Sequence, residues 1–253
     1  MTLGDDFDRA HPDLARLKTG GKPLHFARHF SDRFYTFFSA SRTRRSCIQE
    51  HLAAADGQID TPFAIRILQD HGVSSYRPDS HWLGDRICAH AANGLTRNAT
   101  QTTGSLVAHL HPDRSTLWAT GTSAPCTSIY KPIWFAGEVL PDIGPPPQGH
   151  FDPESLWWFH EQFHRRLLSD FEQGRAACRE EQQILQEQLL QSAAAISDRP
   201  TWEVTAAAFQ RSRNWTEHQI SRLSSMATRS RKPPRWSYRR YWEKQNRQAG
   251  IHP

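Results

Sequence analysis

Residues 101–135 read QTTGSLVAHLHPDRSTLWATGTSAPCTSIYKPIWF, and this stretch decides the fold class of the chain. Two runs of apolar and β-branched residues, Ser105–His111 and Ser115–Thr122, flank the turn-forming tripeptide at 112–114. Such a pattern predicts a short antiparallel hairpin at about residues 105–122. Because long helical patterns follow the hairpin, we expect a helix-rich α+β fold.

Small polar residues gather at the two ends of this hairpin that lie away from its turn. If the strands pair in register, these residues meet at one end of the sheet, where hydroxyls and glycines could line a small polar pocket. A tight, well-packed turn explains the same composition equally well. The candidate pocket residues are Thr102, Thr103, Ser105, Thr120 and Thr122.

Two long helices are predicted after the hairpin. The first spans about residues 153–195, with Asp152 as its N-cap and Pro153 at the first helical position. Apolar residues recur along it at helical spacing. The second spans residues 201–226, with Trp202 among its inward-facing residues. We expect the two helices to pack antiparallel as a long helical hairpin.

The first of these helices carries His160-Glu161-Gln162-Phe163-His164, a match to HExxH. In metalloproteases both histidines of this motif bind zinc, and the glutamate activates a water molecule. A third protein ligand is missing here, because in an unbroken helix Asp170 lies well off the face that carries His164. We therefore predict no metal site, keep His160 and His164 only as weak candidate ligands, and expect the motif to form surface hydrogen bonds.

Positive charge is concentrated in residues 229–253, which carry eight Lys and Arg residues against Glu243 alone, a net charge of +7. The rest of the chain has a net charge of −2, so the pI of 9.2 is a property of this tail. Aromatic residues interleave with the cations: Trp236, Tyr238, Tyr241 and Trp242. They could stack on bases or sit at a membrane surface, but docking of the tail on the body, with arginine stems over apolar surface, is favoured over a nucleic-acid partner.

The four cysteines, Cys47, Cys88, Cys126 and Cys178, are widely spaced and form no CxxC pair. Their spacing predicts neither a disulfide framework nor a zinc knuckle, so we expect small buried thiols and no cofactor. Cys126 is the thiol to test for reactivity, and His90 is expected to be a hydrogen-bonded structural residue. Since the chain has no apolar run long enough for a membrane span and no signal pattern, we expect a cytoplasmic protein.

Six stretches, in order over roughly residues 2–175, carry a resemblance to a known family. They are TLGDDFDRAHPDL (2–14), RTRRSCIQEHL (42–52), IRILQDHG (65–72), TTGSLVAHL (102–110), WATGTSAPCTSIYKPIWF (118–135) and LWWFHEQFHRR (156–166). Together they resemble the secernin family, relatives of bacterial dipeptidases with the N-terminal-nucleophile hydrolase fold.

This resemblance implies a four-layer αββα fold, of which the chain would form the C-terminal part. A single incomplete domain would cover residues 1–228, followed by the tail at 229–253. The implied activity is hydrolysis of short peptides or related amides by an N-terminal cysteine whose freed α-amine serves as the base. Met1 resembles an internal position of the family, so the nucleophile has no counterpart here, and we expect no peptidase activity from the chain alone.

Three functions therefore remain open. The chain is part of a secernin-like dipeptidase, with a missing N-terminal segment or a second copy as its partner at an open sheet edge. Alternatively it is a zinc metalloprotease through His160, Glu161 and His164. The third function is that of a non-catalytic binding protein that uses its basic tail.

Overall fold

A computed structural model describes residues 30–73, 75–81, 85–91, 101–135, 140–196, 201–226 and 233–252. The strands are β1 (Leu106–His109), β2 (Thr116–Ala119) and β3 (Lys131–Ile133). The helices are α1 (Arg33–Phe38), α2 (Ser41–Ala54), α3 (Thr61–Leu68), α4 (Leu156–Leu167), α5 (Phe171–Ala194), α6 (Thr201–Met226) and α7 (Trp236–Ala249). The predicted α+β class is confirmed.

The three strands form one antiparallel sheet in the order β1-β2-β3. The predicted hairpin is present as β1 and β2, in a register that pairs Val107 with Trp118. Both side chains are buried in the main core, so one face of the hairpin is apolar, as the alternating sequence requires. The sequence did not predict β3, which pairs Pro132 with Trp118.

The outer edge of β3 is covered by side chains from the helices. The Gln186 amide accepts a hydrogen bond from Tyr130 N at 2.8 Å and donates one to Tyr130 O at 3.1 Å. Thr205 Oγ1 donates to Pro132 O at 3.0 Å. A proline has no N–H to offer a further strand, which suits this edge position.

The prediction of one helix over residues 153–195 is wrong. The helix begins at Leu156, and the chain breaks between α4 and α5, where Asp170 accepts a hydrogen bond from Gln173 N as the N-cap of α5. Gly174 permits the close turn, because a Cβ atom there would lie 2.7 Å from Leu167 Cδ2.

Helices α5 and α6 pack side by side as the predicted helical hairpin. Arg222 Nη1 donates to Glu181 Oε1 at 2.8 Å, and Arg211 contacts the side-chain oxygen of Gln188. Since the later residue of one helix pairs with the earlier residue of the other, the two helices run antiparallel. The prediction that Trp202 faces inward is wrong, because its side chain is 51% exposed.

The main core extends from Ile65 in α3 to Tyr238 and Trp242 in α7. The basic C-terminal segment therefore packs on the body over the described residues 233–252, while residues 229–232 lie outside the description. Trp242 Nε1 donates to Ala91 O at 3.3 Å. The backbone N–H of Phe151 donates to Ala249 O at 2.7 Å, so α7 is attached at its middle and at its C-terminal end.

None of the described helices is both long and apolar enough to span a membrane.

Candidate functional site

Four buried side chains from three separate segments converge in the core: His71, Cys88, His90 and Cys126. Each contributes one nitrogen or sulfur atom, and these four atoms all lie within 4.8 Å of one another. His71 follows α3, Cys88 and His90 lie on an irregular segment, and Cys126 lies in a short 3-10 turn. We refer to these four residues as the His/Cys cluster.

Backbone hydrogen bonds bring the three segments together. Cys88 N donates to Asp70 O at 3.1 Å, which aligns the end of α3 with the Cys88 segment. Thr102 N donates to Ala89 O at 2.9 Å, and Ala124 N donates to Thr102 O at 2.9 Å. Residues 101–104 thus hold the Cys88 segment and the turn at Cys126 side by side.

Nε2 of His90 lies at the centre of the cluster. It is 3.1 Å from His71 Nε2, 3.4 Å from Cys126 Sγ and 3.7 Å from Cys88 Sγ. Burial lowers the pKa of His90 to about 4, so the imidazole is neutral at pH 7 and carries one N–H proton.

A relay of hydrogen bonds determines which nitrogen of His90 carries that proton. Glu161 Oε2 lies 3.1 Å from His164 Nδ1, and His164 Nε2 lies 2.9 Å from His90 Nδ1. In a neutral His164 ring, Nδ1 donates to the carboxylate, which only accepts, and Nε2 is left as an acceptor. His90 must then donate from Nδ1, which leaves the lone pair of its Nε2 directed at the His/Cys cluster.

Glu161 is an anion in the core, where it is 1% exposed. Burial alone would raise its pKa, but His164 and Arg165 outweigh that effect and lower it to about 2. Arg165 Nε donates to it at 2.8 Å, Ser123 Oγ at 2.5 Å and Gln101 Nε2 at 3.1 Å. A buried carboxylate with this many donors is stable as an ion.

The HExxH residues are buried, contrary to the surface position expected for them. His160, Glu161 and His164 are 3%, 1% and 0% exposed. The two histidines have separate partners: His160 Nε2 lies 3.0 Å from Ser128 Oγ, whereas His164 joins the relay to His90. Burial lowers the pKa of His160 to about 3, so it is neutral. Asp170, the residue considered as a third zinc ligand, instead accepts a hydrogen bond from Gln173 N as the N-cap of α5.

The predicted pocket residues do meet at one end of the sheet, where hydrogen bonds within the protein engage most of their hydroxyls. Thr102 Oγ1 accepts from Ala89 N at 3.0 Å, and Ser105 Oγ accepts from Tyr130 O–H at 2.7 Å. Thr120 Oγ1 accepts from Ser105 N at 3.0 Å. Thr122 Oγ1 donates to Ser128 Oγ at 3.0 Å. Thr103 is exposed, and its carbonyl accepts from Trp157 Nε1. This arrangement favours the packed-turn alternative.

Lys131 is a further buried polar group that the sequence did not indicate. Its ammonium donates to Thr120 O and, at 2.9 Å, to Ile129 O, and it lies 5.2 Å from the ring centre of Phe209. Burial lowers its pKa to about 7. The Lys131 side chain is therefore fully enclosed by the protein.

Sequence reasoning missed the His/Cys cluster because its members are far apart in the chain. Cys88 and His90 form the one local signal of a metal site, since these two potential ligands are two residues apart in the sequence. His71 and Cys126 join this pair only through the fold.

No family model, no curated protein and no solved structure matches this chain.

Proposed function

We propose that this chain is the helix-rich portion of a secernin-like amide hydrolase of the four-layer αββα type. In this proposal it forms a rigid wall of the substrate site, and a segment with an N-terminal cysteine completes the enzyme. The substrates are short peptides or related amides. The resemblance over residues 2–175 is the basis of this assignment.

One structural observation supports the proposal most directly. Two of the stretches that carry the resemblance, 118–135 and 156–166, contact each other through buried polar side chains. Ser123 donates to Glu161, and Ser128 contacts His160, so polar groups of the first stretch are matched to polar groups of the second. Such a matched interior fixes the relative position of the sheet and α4.

The cysteines of this chain do not suit the role of an N-terminal nucleophile. That mechanism needs a thiol beside its own free α-amine. Cys88, Cys126 and Cys178 are internal and buried, and Cys47 lies inside α2. The proposal therefore assigns the nucleophile to a partner segment.

The edge of β1 that pairs with no strand among the described residues is the position we assign to that partner segment. β1 is the first strand of the sheet, and Leu106 and Leu110 are 57% and 76% exposed beside it. An edge strand with apolar neighbours readily accepts another strand. Thr103 and Gly104 are exposed at the same end of the strand, where a substrate would lie.

The two alternatives find less support in the contacts. The metalloprotease needs His160 and His164 on one metal ion, but they contact Ser128 and His90 instead. Binding through the tail needs free aromatic rings, but Tyr238 and Trp242 are 3% and 7% exposed, which leaves Trp236, at 64%, as the exposed tryptophan of the described tail.

The test is complementation. The chain is co-purified with a secernin-type segment that begins with cysteine, and dipeptide hydrolysis is measured. We expect activity from the complex, none from the chain alone, and none when the cysteine of the segment is replaced by serine. Hydrolysis by the chain alone, or a stable complex without activity, would contradict the proposal.

A further inference from the structure

We propose that His71, Cys88, His90 and Cys126 bind one zinc ion in a closed, structural site. The inference is independent of the proposed hydrolase function, because it rests on the contacts of these four side chains. It assigns to the core a metal that neither the spacing of the cysteines nor the HExxH match indicated.

The distances in the cluster suit a tetrahedral ion. With Zn–N at about 2.0 Å and Zn–S at about 2.3 Å, ligand atoms lie about 3.3 to 3.8 Å apart along the edges of a tetrahedron. The measured separations from His90 Nε2 are 3.1 Å to His71 Nε2, 3.4 Å to Cys126 Sγ and 3.7 Å to Cys88 Sγ. All four ligand atoms lie within 4.8 Å of one another, at most about 1 Å beyond such an edge, so side-chain rotations of that size would place them around one centre.

The ligand types and their burial select zinc in a structural role. Two thiolates with two imidazoles are a common ligand set for structural zinc, whereas magnesium and calcium prefer oxygen. His71, Cys88, His90 and Cys126 are 3%, 0%, 1% and 1% exposed, so no coordination position opens to solvent. Two thiolates also balance the charge of Zn²⁺, and the resulting neutral centre suits an apolar interior.

Without a metal, the cluster offers one strong acceptor, His90 Nε2, beside the weakly accepting sulfur atoms of Cys88 and Cys126. The relay from Glu161 leaves His90 with a single nitrogen lone pair, and that lone pair faces His71 Nε2 and the sulfur atoms of Cys88 and Cys126. One lone pair serves one strong donor well. A zinc ion removes the two thiol protons and gives every member of the cluster a bond.

The HExxH residues acquire a different role in this inference, as positioning residues. His164 and Glu161 form the outer part of a carboxylate–histidine–histidine relay that fixes the tautomer and orientation of the ligand His90. Outer partners of this kind are typical of zinc-binding histidines. Packing also holds the rings in place. His71 stacks on Tyr76 with ring centroids 4.0 Å apart, and the rings of His90 and Phe171 pack edge to face with centroids 4.8 Å apart.

The site would connect three segments that have little regular structure of their own. Backbone hydrogen bonds of Cys88 and Thr102 hold these segments together. Gln182 Nε2 donates to Cys126 O at 3.2 Å and thereby fixes the third segment on α5. Metal binding at this point contributes directly to folding.

The experiment measures metal content and the cobalt spectrum of the full chain. The protein is purified under reducing conditions, examined by native mass spectrometry for bound zinc, and then titrated with Co²⁺ after removal of zinc. We expect one equivalent of zinc, together with visible bands of tetrahedral Co²⁺ and a thiolate charge-transfer band. Cys88→Ser and Cys126→Ser should each abolish stoichiometric binding, whereas Cys178→Ser, which changes a buried thiol outside the cluster, should retain it.

The positioning residues give a graded test. Glu161→Gln and His164→Gln should weaken zinc affinity by about 10- to 100-fold while the ligand set stays intact. The cobalt spectrum of the unmodified chain decides the matter even if a variant fails to fold. A folded chain that takes up neither zinc nor cobalt, a spectrum without thiolate bands, or a Cys88–Cys126 disulfide in the reduced preparation would overturn the inference. These readouts do not depend on hydrolytic activity.

Discussion

Nδ1 of His90 and Nε2 of His164 lie 2.9 Å apart, and this contact connects the His/Cys cluster to α4 across 74 positions of the sequence. Through it, the charge state of Glu161 determines the tautomer of His90. The same carboxylate binds Arg165, whose guanidinium carbon lies 5.2 Å from the ring centre of Trp242 in α7. Helix α4 therefore links the cluster to the C-terminal helix.

Replacing Glu161 by glutamine should destabilise the protein strongly. Glutamine keeps the size of the side chain but leaves Arg165 without its buried anion, and removal of one partner from a buried ion pair costs about 3 to 5 kcal/mol. The free energy of unfolding in urea measures this loss. The matched control is Glu180→Gln on the exposed face of α5, for which we expect a change within about 0.5 kcal/mol. Equal effects of the two substitutions would contradict the prediction.

Acid should destabilise the protein through the same residue. Glu161 has a pKa of about 2 in the folded chain against 4.5 for an ordinary glutamate. Between these values the unfolded chain binds a proton that the folded chain does not, so the free energy of unfolding falls as the pH falls through this window, by roughly 3 kcal/mol in total. Urea unfolding at a series of pH values should show this slope for the wild type and a flatter one for Glu161→Gln. Parallel curves would refute the assignment.

Lys131 should produce a dependence on pH of the same sign, but in a higher pH window. Burial lowers its pKa from 10.5 to about 7, so between these values the unfolded chain binds a proton that the folded chain lacks. The free energy of unfolding therefore rises with pH across that window, by at most roughly 5 kcal/mol. Comparison of Lys131→Met with wild type at about pH 7 and about pH 9.5 should show a flatter dependence in the variant. The exposed Lys244→Met serves as control and should follow the wild type.

Two tryptophans of α7 should differ sharply in their contribution to stability. Trp242 is 7% exposed in the main core, whereas Trp236 is 64% exposed. Trp242→Ala should lower the free energy of unfolding by about 3 to 5 kcal/mol, because it leaves a cavity and the carbonyl of Ala91 without its donor. Trp236→Ala should cost less than about 1 kcal/mol. A similar cost for both would mean that α7 does not dock as described.

Local sequence signals predicted the elements that depend on local physics. The hairpin followed from alternation around the turn at 112–114, and α6 has the predicted limits, Thr201–Met226. Gly174 indicated at most a bend, and the break after Leu167 was missed because residues 168–170 contain neither proline nor glycine, while the Asp170 cap that starts α5 was not recognised. Periodicity alone therefore extended one helix through two.

The candidate site depends on contacts that no local pattern records. His71 and Cys126 approach Cys88 and His90 only after the segments between them have folded. The sequence argument also placed the HExxH residues at the surface, since charged residues are mostly exposed. Their burial depends on donors from elsewhere, among them Gln101 and Ser123, which satisfy Glu161 inside the core.

The docking of α7 also bears on how this protein is made. Domains form largely in the order in which a ribosome releases them. Here, however, Tyr238 and Trp242 supply part of the same interior as Ile65. Translation must therefore pass Trp242 before that interior can close, and a messenger that stops before Trp236 yields a product with its core open to water and to chaperones.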